Sequence, residues 1–173
     1  IRQANLPNWS LSNTQVGLKF EGVLGDLGFS LNALSYRSQM PSIRGGIEAQ
    51  NGFTGEVAVW PALIAFDIDF PRVTLLGGSM DYYSQGIDTV FRVEAAHTSG
   101  EEFANTLRSE LFSESDVLRY VIGADKNIFI PFLNDKRAFL FSGQVFGQYI
   151  LDYEQEQRLL GAAGIPDWEE NWT

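Results

Sequence analysis

Apolar and polar residues trade places one by one along much of this chain. Between Val117 and Asp125, Leu118, Tyr120, Ile122 and Ala124 alternate with Arg119, Gly123 and Asp125. Between Arg137 and Asp152, Phe139, Phe141, Val145, Tyr149 and Leu151 alternate with Ser142, Gln144, Gln148 and Asp152. A period of two marks a strand, whose successive side chains point to opposite faces. The pair predicts a hairpin over 115–152, with 127–136 as its connection. Its polar face holds amides, serine and glycine with few charges, and its apolar face is long and flanked by aromatics. The second strand reads about 16 residues, where strands of soluble sheets average about five or six. A tilted strand crosses a bilayer in about 9–11 residues. The hairpin is therefore expected to belong to a transmembrane β-barrel.

The same alternation recurs upstream. Val16, Leu18 and Phe20 oppose Gln15, Gly17, Lys19 and Glu21; after Gly25-Asp26, Leu27, Phe29, Leu31 and Ala33 oppose Gly28, Ser30 and Asn32. This predicts a first hairpin over 15–36, its turn in the order opposite to the favoured Asp-Gly. Thr74, Leu76, Met80 and Tyr82 oppose Gly77, Ser79 and Asp81, and beyond 84–88, Phe91, Val93 and Ala95 oppose Arg92 and Glu94. This predicts a second hairpin over 73–98. The stretches 37–69, 99–114 and 153–173 are expected to be long loops. Within the first of them, 57–65 is apolar enough to form a short helix, a strand extension or a plug. Connections alternate short and long, as the periplasmic turns and extracellular loops of outer-membrane barrels do. Both ends of the chain then fall on the long-loop side, and six strands are fewer than the roughly eight of the smallest usual barrel. The fold class predicted is all-β: an antiparallel up-and-down meander, a transmembrane β-barrel or a partial segment of one, with 1–173 as a single unit. The N-terminus lacks a basic and apolar signal segment, and the chain is expected to be a piece of something longer.

Composition narrows the function classes. A net charge of −10 at pH 7 argues against nucleic acid, which needs a basic footprint. The absence of cysteine removes disulfides and thiolate metal sites. No run of about 18 uncharged apolar residues occurs, so no spanning helix is expected; alternation in a barrel dilutes hydropathy and escapes that test. No phosphate loop, zinc signature or dinucleotide fingerprint is present, and no cofactor or metal is expected.

Several segments together resemble a known family: Phe70-Pro71-Arg72 leading into Gly77-Gly78-Ser79, 90–96, Gly100-Glu101-Glu102-Phe103, 118–125, Ile130-Pro131-Phe132-Leu133-Asn134, Phe141-Ser142-Gly143-Gln144 and 148–152. Their order and spacing look like an uncharacterised family of Gram-negative outer-membrane proteins carrying a domain of unknown function, over roughly 11–154. The resemblance implies a porin-like barrel in the bacterial outer membrane, in contact with outer-membrane lipid. It also implies periplasmic or efflux-system partners and traffic in small hydrophobic or amphipathic molecules. It brings no catalytic residues.

Arg92, Glu94, Arg119, Asp125, Gln144, Gln148 and Asp152 share the polar parity of their strands and are the candidate lumen-lining residues. Opposite charges among them are also expected to pair across neighbouring strands. Glu101, Glu102, Glu110, Glu114 and Asp116 offer hard oxygen ligands, but solvated loop charge is the expected reading. His97 is the only histidine and shares a strand parity with Ser99, an arrangement similar to that of an outer-membrane phospholipase. No residue can be assigned from sequence to orient His97. Phe129–Leu133 is unusually apolar for a connection and is expected to dock a partner, cap the barrel floor or dip into the interface. The function expected is a passive, non-enzymatic outer-membrane channel. The alternatives are a lipid hydrolase using His97 and Ser99, and a soluble β-sheet binding module.

Overall fold

The computed structural model describes residues 3–59, 65–105 and 108–153. After a 3₁₀ turn at Leu11–Asn13, the strands in chain order are β1 (Val16–Leu24), β2 (Leu27–Arg37), β3 (Ser42–Arg44), β4 (Ala49–Gln50) and β5 (Val57–Ala58). They are followed by β6 (Asp67–Asp69), β7 (Arg72–Ser84), β8 (Thr89–Ala104), β9 (Phe112–Ile128) and β10 (Phe139–Ile150). The six long strands form one antiparallel sheet in the order β1-β2-β7-β8-β9-β10. The all-β meander read from the alternation is the observed fold. Among the described residues the sheet is open, with β1 and β10 unpaired on their outer edges.

Register explains why the alternation is so regular. Phe20 lies opposite Leu31, Phe29 opposite Met80, Met80 opposite Val93, Val93 opposite Ile122 and Ile122 opposite Val145. One face is thus apolar across all six strands. The other pairs Lys19 with Asn32, Ser30 with Ser79, Asp81 with Arg92 and Arg119 with Gln148. A one-residue slip in any pair would send a strand's whole apolar set to the polar face, so the register is strongly specified.

The connections follow local turn chemistry. Gly25, with φ of +64°, takes the first position of the two-residue turn, which suits a type II′ hairpin and accounts for the Gly-Asp order. The four-residue turn 85–88 closes on Asp88 with φ of +51°, and the Tyr83 hydroxyl donates to Asp88 Oδ1 at 2.7 Å. In 129–138, Asn134 Oδ1 accepts from the backbone N–H groups of Lys136 and Arg137 at 2.9 and 3.1 Å. Phe132 stands 86% exposed at the tip.

Two expected loops contain strand. β8 runs on to Ala104 and β9 begins at Phe112, so the expected loop 99–114 narrows to 105–111. The reason is a bulge: pairing shifts by one residue between Thr98 and Glu101, where Ser99 and Gly100 together face Asp116. Gly100 takes φ of +80° there, a conformation that glycine adopts without penalty in such bulges. The 37–69 segment carries two small hairpins, β3–β6 and β4–β5. Val57–Ala58 is therefore short strand; 60–64 lies outside the described residues, as does 154–173 of the expected last loop. β3 packs against the prolonged ends of β8 and β9, where the sheet has its core: Val117 is 0% exposed, and Val73 and Leu111 are buried nearby. Val73 and Val117 carry the parity of Gly77 and Arg119, so this core lies on the polar side of the sheet; among the described residues the apolar face of the six strands has no second layer.

Candidate functional site

The polar face is a set of cross-strand pairs whose members are far apart in sequence. The Arg92 guanidinium bonds Asp81 Oδ1 through Nε at 2.8 Å and approaches Asp125 Oδ2 through Nη1 at 3.4 Å. Ser142 Oγ donates to the other oxygen of Asp125. One arginine thus ties β7, β8 and β9, and the serine extends the chain to β10. Higher on the face, Arg119 pairs bidentately with Glu101 and donates from Nε to Gln148 Oε1 at 3.0 Å. The Ser30 and Ser79 hydroxyls share a hydrogen bond at 2.8 Å.

Six of the seven expected lining residues, Arg92, Glu94, Arg119, Asp125, Gln144 and Gln148, fall on this one face by register. Asp152 does not stand in a strand; it lies in the turn after β10, and its backbone carbonyl accepts from Ser115 Oγ at 3.1 Å. Gln144 lies opposite Gly123, and Glu94 opposite Ser79 on one side and Val121 on the other. The face has a shallow central groove of about 400 Å³ lined by Asn32, Ser79, Glu94 and Arg119. Beyond it opens a larger cleft of about 770 Å³, where Arg119, Glu101 and Glu102 meet Val16, Leu34, Tyr36, Met40, Leu75 and Phe103. The site therefore joins a polar floor, whose arginines are ion-paired and whose Glu94 stands outside the ion pairs of the described residues, to an amphipathic mouth.

Glu101 and Glu102 were expected to be solvated loop charges. Both are instead in β8 and paired. The bulge turns Glu101 to the face of Arg119, re-aiming a side chain as bulges do. Glu102, with its side chain 8% exposed, forms a bidentate pair with Arg44. Arg44 also reaches Asp69 Oδ2 at 3.5 Å and lies 4.1 Å above the Phe112 ring. One cation thereby fastens β3 and β6 to the ends of β8 and β9. Glu110, in the loop before β9, is held below the ordinary carboxylate range by its own backbone N–H and the Ser109 hydroxyl. Among the described residues no three His, Asp or Glu side chains converge as a metal set.

His97 has a partner that sequence reasoning missed. Asp116, across the bulge on β9, lies 3.3 Å from His97 Nε2 through Oδ2. Its other oxygen accepts from Ser99 Oγ at 2.8 Å and from the Gly100 N–H at 3.2 Å. In a hydrolytic triad the imidazole stands between serine and carboxylate and takes the serine proton. Here the carboxylate stands between the other two, and the serine proton points at it.

Fold and site together define an all-β meander with one apolar face and one ion-paired polar face. The chain belongs to a family described as a protein of unknown function, DUF1302, whose model matches residues 1–171. No curated protein and no solved structure matches it.

Proposed function

We propose that this sheet is part of the wall of an outer-membrane porin-like channel that passes small hydrophobic or amphipathic molecules. The observation that carries the reading is the apolar face. Phe20, Leu31, Leu76, Met80, Val93, Ile122 and Val145 run across the sheet, all exposed. A sheet in water covers such a face with a second layer, and lipid covers it in a barrel wall. From Val16 to Leu24 the outward positions span about 27 Å at about 3.4 Å per residue, close to the roughly 25 Å apolar band of barrel proteins. The opposite face supplies what a water-filled lumen needs: Ser30, Asn32, Ser79, Gln144 and Gln148, with its arginines held in ion pairs. Arg119 and Glu101 would meet a solute entering from the amphipathic mouth. The exposed tip at Phe132 and Leu133 is the natural contact for a periplasmic partner.

The test is single-channel recording in a planar lipid bilayer. Discrete conductance steps, with ion selectivity shifted by Arg119→Glu, support the reading. A chain that inserts and folds yet never conducts contradicts a channel. A chain that stays soluble without detergent, with no heat-dependent shift on a gel, is a β-sheet binding module instead.

A further inference from the structure

Arg37 and Arg72 lie directly opposite each other at the ends of β2 and β7. They fall on the parity of Ala33 and Leu76, so they close the apolar face at its long-loop end. Like charges directly opposed across antiparallel strands repel, and a chain of net charge −10 offers carboxylates in excess. Among the described residues, nevertheless, every acceptor of these two guanidiniums is neutral. Arg37 donates from Nη1 to the Phe70 carbonyl and from Nη2 to Asn13 Oδ1, each at 2.8 Å. Arg72 donates to the carbonyls of Ser12 and Thr14 and to Ser35 Oγ. Arg37 Nε is buried and has no acceptor among the described residues. Among the described residues, no carboxylate lies within ion-pairing distance of either charge.

What these arginines hold is the segment 12–14, continuous with exposed Leu6, Trp9 and Leu11. A cleft of about 520 Å³ is lined by Trp9, Leu11, Asn13 and Thr14. Tryptophan settles at the boundary of apolar and aqueous phases, and the guanidinium fork matches phosphate oxygens. We propose that Arg37 and Arg72, with Trp9 on the segment they hold, form a binding site for the net-anionic phosphate headgroup of a membrane lipid such as phosphatidic acid. The phosphate neutralises the arginine pair, and the acyl chains run down the apolar face past Ala33 and Leu76. The proposal rests on the membrane reading above and adds a lipid class to it.

Native mass spectrometry of the chain in detergent micelles, titrated with phosphatidic acid or phosphatidylcholine, tests it. The expected result is at least about tenfold tighter retention of phosphatidic acid, the size of effect one or two charge-assisted contacts give. That preference disappears in Arg37→Gln/Arg72→Gln and is weakened but kept in Arg37→Lys/Arg72→Lys, which keeps both charges and loses the fork. Trp9→Ala leaves the guanidiniums in place and weakens both lipids alike. Equal retention of the two lipids, or a preference unchanged in the glutamine variant, overturns the proposal. Displacement by excess inorganic phosphate also overturns it, in favour of a free-phosphate site. Entry into phosphatidylcholine vesicles is scored separately: a chain that enters them without headgroup preference leaves the membrane reading intact and removes this site.

Discussion

A lysine at Ile122 separates a lipid-facing wall from a water-facing one. Ile122 lies between Val93 and Val145 near the middle of the apolar face and is 52% exposed. Half of the side chain already lacks protein neighbours, and the aliphatic stem of a lysine packs against most of the neighbours that remain. In water Ile122→Lys is therefore expected to cost under about 1 kcal/mol. If the exposed half faces lipid, the charge adds about 2–4 kcal/mol at the bilayer midplane. Gln144→Lys is the control, one strand away on the polar face, with an expected cost within about 0.5 kcal/mol. The assay is urea unfolding of the chain folded into phosphatidylcholine vesicles, followed by tryptophan fluorescence and compared at equal denaturant slope. The two variants are expected to differ by about 2–4 kcal/mol, roughly a 30- to 700-fold change in the folding equilibrium. Equal stabilities would refute the assignment of the apolar face to lipid.

Three further outcomes are expected. A Cβ at Gly147 would overlap the Tyr120 ring, so Gly147→Val displaces the ring at a cost of about 1–2 kcal/mol; the cost vanishes in a Tyr120→Ala background, as a double-mutant cycle in urea will show. Arg44→Ala strands Glu102 in a nearly buried place and removes the cation above Phe112. It is expected to loosen β3 and β6 by about 2–3 kcal/mol, read as faster hydrogen exchange at 42–44 and 67–69 with little change in β1 and β2. Because Ser99 donates to Asp116 rather than to His97, no phospholipid hydrolysis above background is expected; activity that is lost in His97→Ala would contradict this.

The meander was legible because a face six strands wide imposes one parity on every strand, and the short turns announced themselves at Gly25-Asp26 and 85–88. The site was legible only by halves. Parity grouped Arg92, Arg119, Asp125, Gln144 and Gln148, but the partners Asp81, Glu101 and Ser142 are chosen by register, which no single strand encodes. The bulge at Ser99 and Gly100 shifts the register by one, and this single residue converted Glu101 from apparent loop charge to the partner of Arg119. It also brought Asp116 to His97. β3 and β6 escaped notice because three-residue strands separated by more than twenty residues carry no period. The Arg37–Arg72 pair was equally invisible, since each arginine falls just outside a predicted strand and only register sets the two opposite each other.

The most direct test of the central claim uses the absence of cysteine, which lets single cysteines be introduced cleanly along β9. Spin labels at positions 120 to 125, in the chain reconstituted in phosphatidylcholine, are compared for collision with oxygen, which concentrates in lipid, and with a water-soluble nickel chelate. Labels at Tyr120, Ile122 and Ala124 are predicted to favour oxygen, and those at Val121, Gly123 and Asp125 the nickel chelate, in strict alternation. Uniform access to the nickel chelate at all six positions would contradict the account.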